Sequence, residues 1–260
     1  MSFVDASAVT LLSPNLYRAV LPDGWQQGRG AFGGLVLGTL LRAIEAAAPG
    51  RPTRTLAGDI CGPVMPGPAD LRVVELRRGS NQSNLAAMLT QGEAVLATAT
   101  AVLSGPRAVA APPFAPAPPP PAAPWRDVPP IGRDSRITPA FAQHYDYRSS
   151  TPAFSRGEPI IDGFIREREP LAELDAPALV GRLDAWWPTL FSLDGGPRPC
   201  ATVSFVAEIL VDPATLSATE PLRYRAHLAA LHEGFFVELR ELWHGERVVA
   251  LNQQTFAILR

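Results

Sequence analysis

The proline distribution limits most strongly what this chain can fold into. Residues 106–130, PRAVAAPPFAPAPPPPAAPWRDVPP, hold 11 of the 28 prolines in a chain of 260 residues. Proline fixes φ and lacks a backbone N–H, so neither a helix nor a central strand runs through such a tract. It reads as an extended spacer of polyproline II character. The chain then divides into residues 1–105, a linker at 106–135, and residues 136–260. The spacer is expected to be exposed and to accept a flexible replacement of equal length, unless Phe114 and Trp125 pin it to the surface. The competing reading, a ligand for a proline-binding domain, fits less well between two segments that each look folded.

The flanking segments share one layout. In the first, TLLSPNLYRAVL is a short strand candidate, and AFGGLVLGTLLRAIEAAAPG reads as a buried helix from Gly33 or Gly34 to about Ala48, stopped by Pro49-Gly50. Strand-like runs follow at 54–65, 69–78, 83–91 and 94–103, separated by Gly- and Pro-bearing turns. In the second, strand candidates at 140–148 and 160–168 precede a helix from about Asp175, a plausible N-cap, to Leu193. Pro188 should kink that helix or remove one of its bonds. Runs at 200–211, 222–231, 235–243 and 247–259 complete the repeat. GEAVLA at 92–97 lies over GERVVA at 245–250, matching Gly92 with Gly245, Glu93 with Glu246, Val95 with Val248 and Ala97 with Ala250. The repeated helix-then-four-strands order points to internal duplication of an α+β unit, in which an antiparallel sheet wraps one apolar helix.

Composition excludes several classes. Hydrophobic residues make up 47% and charged residues 18%, enough apolar material for a large core. A net charge of −2 without a basic run gives no footprint for nucleic acid. No apolar stretch is long enough for a membrane span, and an N-terminus carrying Asp5 but no basic residues makes a poor signal peptide, so a cytoplasmic protein is expected. Cys61, Cys200 and four scattered histidines offer no metal-ligand spacing, and the two cysteines read as buried free thiols.

With the order of elements in view, GRGAFGGLVLGTLLRAIEAAAP followed by VMPGPADLRVVELRRGSNQSNLAAMLTQGEAVLATATAVL resembles the N-terminal hotdog of type II acyl-CoA thioesterases. LDAWWPTLF, ATVSF and ALNQQTFAILR resemble that family's C-terminal segments. The resemblance implies a double hotdog, two helix-wrapped-by-sheet units in one chain. It implies hydrolysis of an acyl-CoA thioester, with coenzyme A entering as part of the substrate and no separate cofactor or metal. Homo-oligomers are compatible with it.

In that family an Asp on the second helix, a Thr or Ser on the next strand and a Gln on the last strand position a water. The matching positions are Asp184, Thr202 and Gln254. The residues themselves give partial support. Asp184 has Val180 and Trp187 at helical neighbour positions, while Arg182 falls about 200° away, as an exposed charge would. A carboxylate on an apolar face needs partners or stays protonated, although anchoring a loop would meet the same need. Thr202 alternates with Val203 and so faces with Ser204, where the family often has Asp; a threonine is also an ordinary strand residue. NQQT interrupts an apolar strand and falls over TATA at 98–101 in the first half, so the halves differ at this point; the amides also suit a sheet edge. Gly33 and Gly34 match the family's helix start and suit an oxyanion or phosphate, with close helix packing as the competing explanation. Trp186 and Trp187 line an acyl tunnel or fill the core.

Hydrolysis by general-base activation of water is the leading expectation, because no nucleophile elbow or Ser-His-Asp order is present. Two alternatives remain open: another acyl-thioester enzyme such as a hydratase, and a non-catalytic acyl-CoA-binding module.

Overall fold

The computed structural model describes residues 1–108, 121–132, 138–152, 154 and 156–259. Phe114 lies outside them. The strands are β1 (Val9–Ser13), β2 (Leu16–Leu21), β3 (Gln26–Gln27), β4 (Gly30–Ala31), β5 (Thr53–Ile60), β6 (Gly67–Arg78), β7 (Gln82–Gln91), β8 (Ala94–Ser104), β9 (Tyr145–Ser149), β10 (Ile160–Glu167), β11 (Cys200–Ile209), β12 (Leu222–His232), β13 (Phe235–His244) and β14 (Arg247–Ile258). The helices are α1 (Phe3–Ala6), α2 (Gly33–Ala47), α3 (Ala176–Asp184) and α4 (Leu190–Asp194).

Twelve strands form one antiparallel sheet in the order β1-β2-β6-β7-β8-β5-β11-β14-β13-β12-β10-β9. The order reads the same from both edges if each strand of the first half is exchanged for its counterpart in the second. The halves meet where β5 pairs with β11, from Ser204 opposite Asp59 to Glu208 opposite Thr55. This is the double hotdog, with α2 and α3 packed against each other. Leu35, Val36, Leu37, Leu40, Leu41 and Ile44 of α2 are all buried, as an enclosed helix requires. Close approach depends on small residues: a Cβ on Gly38 would stand 2.8 Å from the Phe3 ring and 3.2 Å from the Pro177 carbonyl.

Several local expectations need correction. TLLSPNLYRAVL is a hairpin of β1 and β2, turning at Asn15 with φ of 63°. Residues 140–144 form a 3₁₀ turn, so the strand begins only at Tyr145. The second helix is not continuous to Leu193: it stops at Asp184 and resumes at Leu190, because Pro188 lacks the N–H and crowds the preceding turn. Arg182 is fully buried rather than exposed, since Glu167 of β10 meets it inside the core through both carboxylate oxygens. Cys61 is exposed and Cys200 only half-buried, so neither is the buried thiol expected.

The described end of the linker is held to the surface. Trp125 packs on the guanidinium groups of Arg148 and Arg166, 4.8 and 5.1 Å from its ring centroid, with Phe164 edge-on. Arg148 also donates to the Val128 carbonyl at 2.7 Å.

Glu45 near the end of α2 makes stability depend on pH. Burial pushes its carboxyl up to about 7; the hydrogen bond from Thr53 Oγ1 (2.6 Å) pulls it down, nearby Asp175 adds to the rise and Arg42 opposes it. A carboxyl raised above its unfolded value stabilises the fold at low pH and loses that contribution as pH rises through the folded value. Between about pH 4.5 and 7.5, wild-type stability should therefore fall relative to Glu45→Gln by about 1–2 kcal/mol. The shift alone would give more, but the carboxylate keeps contact with water. Urea unfolding of both proteins across that range measures the difference; parallel curves would contradict it.

Candidate functional site

Asp184 is the last residue of α3, and its side chain enters the core where the two helices meet. Its Oδ2 accepts the N–H of Gly34 in the first turn of α2 at 2.6 Å. Its Oδ1 accepts from Gln254 Nε2 at 2.7 Å, and the same amide nitrogen donates to Thr202 Oγ1 at 2.7 Å. A carboxylate can only accept, which sets the amide nitrogen toward Asp184 and leaves Oε1 on the other side. That Oε1 is buried and has no hydrogen-bond partner among the described residues. Three residues separated by up to 70 positions thus form one connected group.

Each is delivered by a local feature. Gln254 sits on β14 directly opposite Phe205 of β11, both facing inward. Strict alternation from Phe205 would turn Thr202 outward. A bulge between Thr202 and Ser204 reverses this: Val203 is displaced to solvent, Thr202 pairs with buried Phe256 and Ser204 pairs with outward Thr255. The expectation that Thr202 shares a face with Ser204 is therefore corrected. The same irregularity recurs between Thr53 and Thr55 of β5, where Leu56 faces Ala101 as Phe205 faces Gln254. The first half thus keeps a threonine and a carboxylate, Thr53 and Glu45, but has alanine where the second half has its amide.

The two glycines serve close approach. A Cβ on Gly33 would stand 2.8 Å from Asp184 Oδ2 and 2.9 Å from Ile60 Cδ1, so Gly33→Ala must displace both the carboxylate and the tip of the Ile60 side chain. We expect that variant to stay folded and to displace the Asp184 carboxyl, which a changed ¹³C titration of that group would register; an unchanged titration would refute it. The N–H of Gly34 is directed at Asp184 and not toward an open space, unlike the substrate-facing donor anticipated from the sequence. The N–H of Gly33, at the first helical position, has no acceptor within the helix.

Two further residues reach the group and were missed in the sequence. Arg240 on β13 places Nη1 3.7 Å from Asp184 Oδ1, and its Nε and Nη2 donate to Glu238 Oε2 at 3.1 and 2.9 Å. Both are buried, at 1% and 0% exposure, which makes them part of the site rather than of the surface. The signal was available: in FVELREL, Glu238 and Arg240 alternate in phase with Phe236 and Leu242, hence on the apolar face. Burial raises the Asp184 pKa above its ordinary value; Arg240, Gln254 and Gly34 pull it back, and Glu238 adds to the rise. A buried carboxyl poised this way is suited to take up a proton.

A cavity of about 580 Å³ is lined by Ala185, which follows Asp184 in the chain, and by Cys200, two residues before Thr202, but not by Asp184, Thr202 or Gln254 themselves. Ala185, Trp186, Trp187 and Pro188, the break between α3 and α4, form one wall, with Phe141, Tyr147, Phe154 and Phe191 opposite or beside them. Trp186 also stacks on Tyr224 at 4.9 Å, so it serves core and cavity together. Cys200 lines the cavity, where burial, reinforced by Glu238, pushes its thiol up to about 12. It is a neutral thiol, not a thiolate nucleophile.

Residues 21–104 match the profile of the acyl-CoA thioesterase N-terminal domain, and residues 112–258 that of the acyl-CoA thioesterase C-terminal domain. Among solved structures, a conserved protein of unknown function with a hot dog fold from Alicyclobacillus acidocaldarius is similar, with 23% identity, a TM-score of 0.90, and coverage of 99% of this chain and 98% of that one. The acyl-CoA thioesterase II TesB2 from Mycobacterium marinum is similar at 18% identity, with a TM-score of 0.77 and the same coverage. Likeness at these identities establishes the fold. No curated protein matches the sequence. Among the described residues no helix is long and apolar enough to cross a membrane.

Proposed function

This chain belongs to the acyl-CoA thioesterase family, and we propose that it hydrolyses an acyl-CoA thioester to a free acid and coenzyme A by direct attack of water. The observation that carries the reading is the bridging amide: Gln254 Nε2 holds Asp184 and Thr202 together inside the core, and Ala185, the residue after Asp184, lines an apolar cavity. Asp184 accepts a proton from water as the water oxygen bonds to the thioester carbon. The Thr202 hydroxyl, which already accepts from Gln254, donates to the water oxygen, and the Gln254 amide holds Thr202 and Asp184 in register. Negative charge develops on the carbonyl oxygen, where the Gly33 N–H and the positive end of α2 favour it. The tetrahedral intermediate collapses with cleavage of the C–S bond, and Asp184 returns its proton to the thiolate. The acyl chain occupies the aromatic-walled cavity, and coenzyme A remains outside it.

Cys200 in the cavity lining is a poor nucleophile, because burial pushes its thiol up to about 12. A panel of acyl-CoA esters with detection of released thiol tests it, with Asp184→Asn as control. Thiol release by the wild type and its loss in the variant is the expected result. Saturable binding without release would leave a binding module, and consumption of an enoyl-CoA without thiol release would indicate a hydratase.

A further inference from the structure

The Glu238–Arg240 pair does more than stand near Asp184. Arg240 Nη1 donates to the Leu183 carbonyl at 3.1 Å, on the last turn of α3. Glu238 Oε1 accepts both the N–H and the hydroxyl of Thr189, at 2.5 and 2.8 Å, just before α4. One buried ion pair on β13 therefore grips both ends of the gap between the helices. That gap carries Asp184 at its start and Trp186 and Trp187 in the cavity wall. Arg240 also lies over the Phe256 ring at 5.1 Å, which leaves it little freedom to swing away.

We propose that Glu238 and Arg240 are positioning residues for the hydrolytic site, with Arg240 holding the Asp184 carboxylate ionised and in place, and Glu238 tempering that hold so that the carboxylate still accepts a proton. The inference rests on the role given to Asp184 above. The surroundings of Asp184 support it from every side. Gly34 of α2, Gln254 of β14 and Arg240 of β13 favour its charged form, while Glu238 disfavours it. Tyr145 of β9 and Tyr224 of β12 are the other titratable neighbours, and burial raises both phenols, so they stay neutral. Burial also works against the charge on Arg240, but Tyr224, Glu238 and Asp184 more than offset it, and the guanidinium stays charged. A mere structural pair would stabilise the gap without a defined sign of effect on Asp184.

The two members should act on Asp184 in opposite directions. Arg240→Met removes the favourable charge, so the acid limb of the kcat/KM profile should move to higher pH. Glu238→Gln keeps an acceptor for Thr189 but removes the opposing charge and leaves Arg240 less compensated, so the limb should move to lower pH. Arg240→Lys retains the charge without the two-pronged grip: its limb should stay near the wild-type position while kcat falls. The profiles are to be read together with ¹³C titration of the Asp184 carboxyl, assigned by its loss in Asp184→Asn. Shifts in one direction for both variants, or none in folded protein, would overturn the proposal. If Arg240→Met does not fold, an unmoved limb and unmoved titration in Glu238→Gln overturn it alone. If the wild type turns over no acyl-CoA, the hydrolytic reading fails, whereas the ¹³C titrations still decide whether the pair sets the charge of Asp184.

Discussion

Asp184→Asn should lower kcat for acyl-CoA hydrolysis by roughly 10²–10⁴-fold, the usual contribution of a general base. The replacement has nearly the same shape, and its oxygen can still accept from Gly34 or Gln254, so the fold should survive. Two pH dependences separate this role from an anchoring one. Activity needs the ionised carboxylate, so the wild-type rate should fall as pH drops through the raised pKa of Asp184. Stability runs the other way, since a carboxyl raised by burial contributes at low pH and loses that contribution as pH rises through its folded value. The Asn variant should thus keep its lowered rate without that acid limb and lose less stability than the wild type as pH increases. A variant that hydrolyses acyl-CoA at full rate would remove Asp184 from the mechanism. A variant that unfolds would return it to a structural role.

The largest stability loss is expected from Arg182→Met. Arg182 and Glu167 have side-chain exposures of 0% and 3%, so removing the cation strands a carboxylate in the core. Breaking one partner of a buried pair destabilises by about 3–5 kcal/mol, whereas replacing both by apolar residues is often neutral. Arg182→Met should show that loss in urea unfolding near neutral pH, and the double variant with Glu167→Leu should recover most of it. Arg18→Met, which breaks a pair with Asp70 whose side chains are 47% and 42% exposed, serves as control and should lose less than about 1 kcal/mol. Equal losses for Arg182→Met and Arg18→Met would show that the buried pair is not the anchor its geometry implies.

Asp184→Asn tests the chemistry and Arg182→Met the frame, and the two residues stand two positions apart on α3. Arg182 lies against β10 and Asp184 against β14, so one short helix ties the fold to the site. Both charges are kept inside by partners from distant strands, which is why neither behaviour follows from the helix alone.

Much of the fold was legible along the chain because its signals are local. A long apolar run rich in Leu and Ala and stopped by Pro49-Gly50 reads as an enclosed helix, and turn residues at regular spacing read as the punctuation of an antiparallel sheet. The two matched Gly-Glu hairpins, at Gly92 and Gly245, carried the duplication. The polar interruption at Gln254 was visible for the same reason, as a break in an apolar strand. The helix ending at Asp184 was foreshadowed by Pro188, although proline itself does not say whether a helix kinks or stops.

What remained hidden depends on partners far away in sequence. Periodicity placed Arg182 on the outside because a lone charge belongs there; only the arrival of Glu167 from β10 lets it be buried. Alternation placed Thr202 with Ser204 because a bulge has no composition of its own, and the extra residue is imposed by pairing with β14. Glu238 and Arg240 fall in phase with Phe236 and Leu242, but alternation alone does not say which partners would satisfy them, and only the fold brings Leu183, Asp184 and Thr189 over them. The sequence by itself determined two apolar helices, two sets of antiparallel strands and the polar residues available to them. Tertiary structure alone decided which of those polar groups could be taken out of water, because that depends on which charges and donors meet in the core.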